Sequence, residues 1–213
     1  MPDPAKLKEA ILNGDYRTAA EVTRTALENG ADAMDLVTNQ MIPAMDEVGR
    51  LFECEECFVP ELLLSARAMK AALEYIRPRL AAHGERAAGR VVIGTVQGDL
   101  HDIGKNLVKA MLEGGGFEVT DLCADVPPRR FIQAIEERNA NLVCLSALLT
   151  STMPAMRTTI EALVSSGMRS RVRVLVGGAP VTPQYARQIG ADAYGENAVT
   201  ALKLVRGFVE SAV

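Results

Sequence analysis

The sequence predicts an α/β fold: an N-terminal helical bundle followed by a flavodoxin- or Rossmann-like domain with a parallel five-stranded sheet. Two patterns predict it. Up to residue 88, apolar residues recur at intervals of three and four, which is the periodicity of packed helices. After residue 89, short apolar runs alternate with helical segments, as in a doubly wound parallel sheet. Residues 1–88 and 89–213 are therefore predicted to form separate domains.

The first 88 residues predict four or five short helices, enough for a small antiparallel bundle. Breaks fall at residues 13–15, 29–32 and 54–60, which contain the Asn, Gly and Pro residues that end helices. The small and polar segment 81–89 is interpreted as the linker to the second domain. The apolar positions with helical spacing are Leu7, Ile11, Leu12, Ala19, Val22, Ala26, Leu27, Leu36, Met41, Ile42, Met45, Val48, Phe52, Leu62, Leu63, Ala66, Met69, Leu73 and Ile76.

Five predicted strands alternate with five predicted helices in the rest of the chain. With the strand order 2-1-3-4-5, the switch point lies between strands 1 and 3, where open α/β sheets bind ligands. The loops after these two strands are therefore expected to lie side by side. The predicted strands span 90–96, 118–122, 142–146, 172–176 and 191–194, and the helices span 103–113, 128–138, 154–167, 183–190 and 197–210.

Composition excludes several classes of function. The chain has 213 residues, 48% of them hydrophobic, and a net charge of -4. This acidic balance argues against a nucleic-acid partner and against binding to an anionic membrane. The N-terminus lacks the features of a signal peptide, and no apolar run approaches the roughly 20 residues that span a bilayer. We expect a cytoplasmic protein whose four cysteines are reduced thiols.

The loop after the first strand is the most informative part of the chain. Residues 99–104 read Asp-Leu-His-Asp-Ile-Gly, and His101 is one of only two histidines. An imidazole is the commonest metal ligand in proteins, and the carboxylate of Asp99 is close enough in sequence to hold its second nitrogen. Asp102 is expected to cap the helix that follows.

Two further loops are predicted at the same edge of the sheet. Residues 146–152 follow the third strand and contain four hydroxyls, and Gly177-Gly178 ends the fourth strand. Glycines there allow a ligand or another stretch of backbone to approach closely. Turn residues also gather at strand ends for purely structural reasons, so both interpretations of the glycine pair stay open at this point.

Three motifs together resemble a known family. Asp99-x-His101-x-x-Gly104, Ser146-x-Leu148 and Gly177-Gly178, in this order and spacing, are similar to the cobalamin-binding signature of methionine synthase and of the corrinoid proteins of methyltransferase systems. The segments 45–52 and 58–62 resemble the helical cap over the cofactor's upper face. The resemblance implies a cap domain over 1–88 and a cobalamin-binding domain over 89–213.

The resemblance also implies roles for single residues. His101 would be the lower axial ligand of cobalt, Asp99 would accept a hydrogen bond from its other ring nitrogen, and Thr152 would complete a hydrogen-bonded relay. Thr152 stands where methionine synthase has a serine, and Val59 is smaller than the leucine expected in the cap. The other implied cofactor-binding residues are Asp102 and Gly104 beside the histidine, Ser146, Leu148 and Thr150 at the displaced base, Gly177 and Gly178 at the nucleotide tail, and Phe52 and Val59 over the bound methyl group.

The function implied is that of a methyl carrier with a cobalamin or related corrinoid, methylcobalamin in its loaded form. Cobalt would accept a methyl group through a substrate-specific methyltransferase and pass it to an acceptor methyltransferase that uses tetrahydrofolate or a thiol coenzyme. A reductive activase is a third implied partner. The alternative is a cobalamin sensor or storage module without turnover. A receiver-like domain without corrin is disfavoured, because it would need an acidic cluster after the first strand.

Other candidates for chemistry are interpreted structurally. Cys54-x-x-Cys57 has metal-binding spacing but no second Cys or His pair to complete a zinc site, so we expect partly exposed thiols in a loop between helices. Cys123 and Cys144 are expected to be buried on strands. Arg169, Arg171 and Arg173 are expected to alternate into the fourth strand along a solvated edge.

Overall fold

The computed structural model describes residues 4–82 and 89–210. The chain divides into two compact units: a helical unit, residues 1–87 with 110–116, and a sheet unit, residues 88–109 with 117–213. The predicted domain boundary at residue 88 and residues 83–88 of the predicted linker, with His83, lie outside the described residues. Among the described helices, none combines the length and apolar character needed to cross a bilayer.

The helical unit contains five described α-helices, within the predicted four or five, but the last of them is long, with 24 residues. They are α1 (Pro4–Leu12), α2 (Tyr16–Glu28), α3 (Ala33–Leu36), α4 (Ile42–Glu53) and α5 (Val59–Ala82), with a π-helical segment, Val37–Met41, between α3 and α4. Asp15 starts α2 by accepting hydrogen bonds from the backbone N–H groups of Arg17 and Thr18. The largest fully buried side chains of the unit are Leu7, Ile11, Met41, Met45, Leu62, Met69, Ile76, Met111 and Leu112.

The rest of the chain alternates strands and helices, as the sequence predicts. The elements are β1 (Arg90–Thr95), α6 (Ile103–Gly114), β2 (Glu118–Asp121), α7 (Pro128–Arg138), β3 (Leu142–Ser146), α8 (Met153–Ser165), β4 (Arg173–Gly177), α9 (Pro183–Gln188), β5 (Ala193–Gly195) and α10 (Ala198–Glu210). Their ends differ from the predicted ones by at most two residues, because side-chain periodicity does not fix the last hydrogen bond of an element.

All strand pairs of the sheet are parallel, and the observed order is β2-β1-β3-β4-β5. This confirms the predicted order, and the carboxyl ends of β1 and β3 lie side by side, with Thr95 opposite Ser146. Val92, Val143 and Val174 face the core formed with α7 and α8, where Phe131 is fully buried. Their neighbours Ile93, Cys144 and Leu175 face the opposite side, because successive side chains of a strand alternate.

The expectation that Arg169, Arg171 and Arg173 alternate into the fourth strand is wrong. Residues Arg169–Arg171 form a 3₁₀ turn, and β4 begins only at Arg173. Arg169 Nη2 lies 2.8 Å from Asp192 Oδ2, and Arg173 Nη1 lies 3.3 Å from Asp192 Oδ1. The two arginines therefore converge on one carboxylate next to β5, which also accepts a hydrogen bond from Val174 N at 2.7 Å.

Candidate functional site: the His101 edge of the sheet

A buried carboxylate joins the loops that follow β1 and β3. Asp99 is fully buried, and its Oδ1 accepts the backbone N–H of His101 at 3.0 Å. Its Oδ2 accepts the backbone N–H of Leu148 at 2.7 Å and the hydroxyl of Thr152 at 2.7 Å. The structure thus brings together Asp99, His101 and Thr152, the three residues predicted to form the relay.

The ring of His101 is held through one nitrogen. Nδ1 lies 2.7 Å from Asp99 Oδ1, while about half of the side chain, 49%, is exposed. A carboxylate beside Nδ1 favours the tautomer that carries its proton there, which leaves Nε2 with a free electron pair. The backbone is fixed as well, because the hydroxyl of Thr95 donates a hydrogen bond to the carbonyl of His101 at 2.8 Å.

The carboxyl of Asp99 is strongly favoured in its ionised form. Burial by itself would raise the pKa of Asp99, but the hydroxyl of Thr152 and the amides of Leu148 and His101 donate to the carboxylate and lower the pKa far below its usual value. Asp99 therefore stays negatively charged through the whole range in which histidines titrate.

Thr152 has a single hydroxyl proton and two acceptors within reach. Its Oγ1 lies 2.7 Å from Asp99 Oδ2 and 2.9 Å from the carbonyl oxygen of Leu149. The proton goes to the carboxylate, because a hydrogen bond to an ionised acceptor is the stronger one. The branched side chain thus reaches Asp99 from its position immediately before α8.

A cavity of about 650 Å³ opens beside His101 within the sheet unit. Its floor contains the strand residues Ile93, Cys144 and Leu175, and its walls come from α6 and α10. Burial raises the pKa of the Cys144 thiol to about 12, so this residue is a neutral, apolar part of the floor, as predicted. Seven of the predicted site residues line the cavity: His101, Asp102, Gly104, Ser146, Leu148, Gly177 and Gly178.

The glycine pair after β4 is required by the backbone around it. A Cβ added to Gly177 would lie 2.8 Å from the carbonyl oxygen of Gly195, and one added to Gly178 would overlap the carbonyl oxygen of Ala147. Gly178 also has a φ of 130°, which side chains disfavour. Close approach of neighbouring strands and loops thus explains why both positions are glycine. Gly104 differs, because a Cβ added there would have no neighbouring atom within 4 Å.

Asp102 lies directly before α6. Its carbonyl accepts the backbone N–H of Asn106 at 2.7 Å, which begins the helix. Its exposed carboxylate accepts a hydrogen bond from Asn106 Nδ2 at 3.0 Å. Thr150 is exposed in the loop after β3 and is not among the described residues that line the cavity.

Sequence reasoning missed a buried lysine in the cavity wall, which forms an ion pair with the partly buried Asp121. Lys105 is 2% exposed, and its Nζ donates to Asp121 Oδ1 at 2.7 Å and to Asn106 Oδ1 at 2.7 Å. The sequence does contain a signal for its burial. The apolar residues Val108 and Leu112 follow Lys105 after three and seven residues, which places all three on one face of α6. Thr95 was missed as well, although a buried hydroxyl at the end of an apolar strand requires a polar partner.

The predicted cap residues belong to the helical unit. Phe52 is partly buried near the end of α4, and Val59, the first residue of α5, is 41% exposed. The loop between them holds Cys54, which is exposed, and Cys57, which is partly exposed, as predicted. In the described part of the chain, no three His, Cys, Asp or Glu side chains gather in a way that could hold a metal ion.

The expected burial of Cys123 is wrong. Strand β2 ends at Asp121, and Cys123 lies in the following loop with an exposed side chain and a φ of 68°. The apolar run in the sequence continues past the last strand residue, and this led to the expectation that Cys123 is buried.

Ionised Asp99 is expected to stabilise the fold. Asp99→Asn should lower the free energy of unfolding at pH 7 by about 1–3 kcal/mol, because an amide accepts fewer of these hydrogen bonds. The folded-state pKa is lowered, so the stabilisation is fully present above the unfolded value of about 3.9 and declines progressively as the pH falls from there toward the folded-state value. Urea unfolding of the cofactor-free protein at pH 7 and pH 3 measures both effects.

The exposed carboxylate of Asp102 provides the control for this experiment. Asp102→Asn should change the free energy of unfolding by about 0.5 kcal/mol or less at either pH. A deficit of Asp99→Asn that is as large at pH 3 as at pH 7 would show that the carboxylate does not stabilise the fold through its charge.

Comparison with known proteins identifies the family. Residues 89–203 match a family model described as "B12 binding domain", and residues 5–77 match a second model with the same description. Trimethylamine corrinoid protein 1 of Methanosarcina acetivorans is 41% identical over 204 residues, which cover 95% of this chain and 94% of that protein. Dimethylamine corrinoid protein 3 of the same organism is 42% identical over 196 residues, which cover 92% of this chain and 87% of that protein.

Solved structures agree with this result. A cobalamin-binding protein from Desulfitobacterium hafniense superposes with a TM-score of 0.81 at 31% identity, over 97% of this chain and 98% of that one. The methanol:cobalamin methyltransferase complex of Methanosarcina barkeri superposes with a TM-score of 0.82 at 31% identity, over 96% of this chain and 78% of that one. These matches confirm the predicted fold class. The chain therefore belongs to the B12-binding corrinoid proteins of methyltransferase systems, and its cofactor is a cobalamin or a related corrinoid.

Proposed function

We propose that this protein is a methyl carrier in which His101 is the lower axial ligand of the corrinoid cobalt. The observation that carries the proposal is the 2.7 Å contact between Asp99 Oδ1 and His101 Nδ1. A metal-binding histidine usually donates its other ring N–H to a carboxylate or carbonyl, which fixes the tautomer and raises the basicity of the ring. Here that arrangement is already present, and the half-exposed ring lines the cavity.

The surroundings of His101 fit a corrinoid whose own base has left the metal. The cavity beside the ring has an apolar floor, which suits a flat aromatic base that must be buried. We propose that Ser146, Thr150 and Leu148 contact this base. Gly104, Gly177, Gly178 and Asp102 border the path of the nucleotide tail in this proposal.

The corrinoid supplies the reaction itself, since its cobalt carries the methyl group between donor and acceptor. The protein's residues prepare and protect it. Asp99 and Thr152 keep His101 oriented and basic. We propose that residues 1–88 act as a cap whose Phe52 and Val59 shield the methyl group, and that residues 89–213 form the cofactor domain.

We infer the partner proteins from the names of the relatives. Because relatives are named trimethylamine and dimethylamine corrinoid proteins and a solved match is a methanol methyltransferase complex, we infer a substrate-specific methyltransferase that delivers a methyl group from a methylamine or methanol. An acceptor methyltransferase that uses tetrahydrofolate or a thiol coenzyme, and a reductive activase, complete the proposed set. All four cysteines are free thiols, which supports our proposal of a cytoplasmic protein.

Axial ligation can be tested with labelled histidine. Protein containing isotopically labelled imidazole is loaded with unlabelled cobalamin and reduced to the cobalt(II) state. We expect the nitrogen splitting in its electron paramagnetic resonance spectrum to change with the label, because the ligand nitrogen belongs to the protein and not to the benzimidazole. The same splitting should disappear in His101→Ala.

The other histidine of the chain provides the control. His83→Ala removes the other histidine of the chain and should leave the spectrum unchanged. A spectrum of the wild type that does not respond to labelled histidine would show that cobalt keeps its own base and would overturn the ligand assignment.

A methyl-transfer assay separates a carrier from a sensor or storage module. The reduced, cobalamin-loaded protein is mixed with candidate methyltransferases and with trimethylamine, dimethylamine, monomethylamine or methanol. A carrier should acquire the visible spectrum of methylated cobalamin with one donor and lose it when an acceptor methyltransferase is added. Tight cobalamin binding without methylation by any of these donors would favour the sensor or storage function.

The carboxylate is expected to tune the metal. Asp99→Asn should shift the cobalt(II)/cobalt(I) midpoint potential in the positive direction, because a weaker acceptor at Nδ1 makes His101 a poorer donor to cobalt. Thr152→Ala should shift it less, since the amides of Leu148 and His101 still hold Asp99. Spectroelectrochemical titration of the three proteins compares them. An unshifted Asp99→Asn midpoint would mean that Asp99 only positions the loop.

A further inference from the structure

A third loop, residues 122–127 after β2, contacts the loop that carries Asp99 and His101. The carboxylate of Asp125 accepts the backbone N–H of Gly98 at 2.7 Å. The backbone N–H of Asp125 donates to the carbonyl oxygen of Asp99 at 2.9 Å. Asp125 therefore holds the backbone on both sides of the Asp99 side chain.

This third loop is itself fixed to the end of β1. Thr95 N donates to the carbonyl oxygen of Cys123 at 3.0 Å, and Val126 N donates to the carbonyl oxygen of Thr95 at 3.0 Å. Val96 and Val126 then form an isolated parallel bridge. Asp125 lies between two attached residues, so its backbone position beside Gly98 is fixed.

The backbone of the loop is strained at two positions. Asp125 has a φ of 55° and Cys123 a φ of 68°, in the left-handed region that residues other than glycine seldom adopt. Such conformations persist only where the surrounding contacts enforce them, and they concentrate at functional sites. In this loop, the enforcing contacts are the ones to Gly98, Asp99 and Thr95.

We propose that Asp125 is a positioning residue for the axial histidine, acting through Gly98 and Asp99. The Asp99 carboxylate accepts hydrogen bonds from the loops after β1 and β3 at the same time. A small backbone shift at Asp99 would therefore break the hydrogen bonds to one of these loops. Functional groups have to be held to about 0.5 Å by such supporting contacts. The inference rests on the proposed role of His101 as cobalt ligand.

Three variants separate the contact from general stability. Asp125→Gly removes the carboxylate and adopts a positive φ without strain. Asp125→Asn keeps a short oxygen acceptor and tolerates the left-handed conformation. Asn139→Gly is the matched control, because Asn139 also has a positive φ, 48°, but lies at the end of α7, before β3 begins. If Asp125→Gly does not fold, Asp125→Ser replaces it, because serine has a shorter side chain than aspartate.

The first measurement uses the cofactor-free protein. Amide hydrogen exchange at Gly98 should accelerate about tenfold or more in Asp125→Gly, because the N–H loses its hydrogen-bond acceptor. It should stay near the wild-type rate in Asp125→Asn and Asn139→Gly. Unchanged exchange in Asp125→Gly would show that the contact does not hold Gly98, and the proposal would be overturned.

The second measurement uses cobalamin-loaded protein with labelled histidine. In Asp125→Gly, the fraction of cobalt(II) that shows splitting from labelled nitrogen should fall at least about twofold, and Asp125→Asn should restore it. Faster Gly98 exchange with an unchanged ligated fraction would make Asp125 a purely structural residue and refute the proposal. If the wild type itself shows no splitting from labelled histidine, the proposed function fails first and this inference falls with it.

Discussion

Burying an ionised carboxylate is costly unless its oxygens are hydrogen-bonded, and the loops at the carboxyl edge of this sheet are arranged around that requirement. Asp99 is fully buried, and donors from the loops after β1 and β3 converge on it. The charge therefore ties the two loops together. Because one of the donors is the imidazole of His101, the interaction that stabilises the loops also orients the candidate metal ligand.

The strand order makes this convergence feasible. In the order β2-β1-β3-β4-β5, the chain leaves β1 and β3 toward opposite faces of the sheet, which opens a crevice at their shared end. Short-range contacts then fix the loop backbones. Gly178 lies so close to the carbonyl of Ala147 that no side chain fits there, which sets the start of the loop that presents the Leu148 amide. Fold and site are thus specified by the same contacts.

Much of this arrangement can be predicted from the sequence, since strand periodicity and the Asp99-x-His101 motif are local signals. The sequence does not predict features that depend on loop conformation. The backbone N–H of Leu148 donates to Asp99, but almost any residue type would supply this group, so the sequence does not indicate it. The role of Asp125 depends on a left-handed φ that only the folded loop reveals. The error at Cys123 has a similar origin, because the left-handed φ of Cys123 takes the chain out of the strand although the apolar run continues.

The distribution of charge at this edge fits the role that we propose for His101. Lys105 in the cavity wall is also charged, but it is paired with the partly buried carboxylate of Asp121. Among the described residues, the hydrogen-bond partners of Asp99 are a hydroxyl, backbone amides and the imidazole of His101. All of these groups are neutral as long as His101 is neutral. The negative charge is solvated by dipoles without being cancelled, so it stabilises positive charge placed on the far side of the ring. A metal ion held by His101, as in the proposed function, would supply that charge.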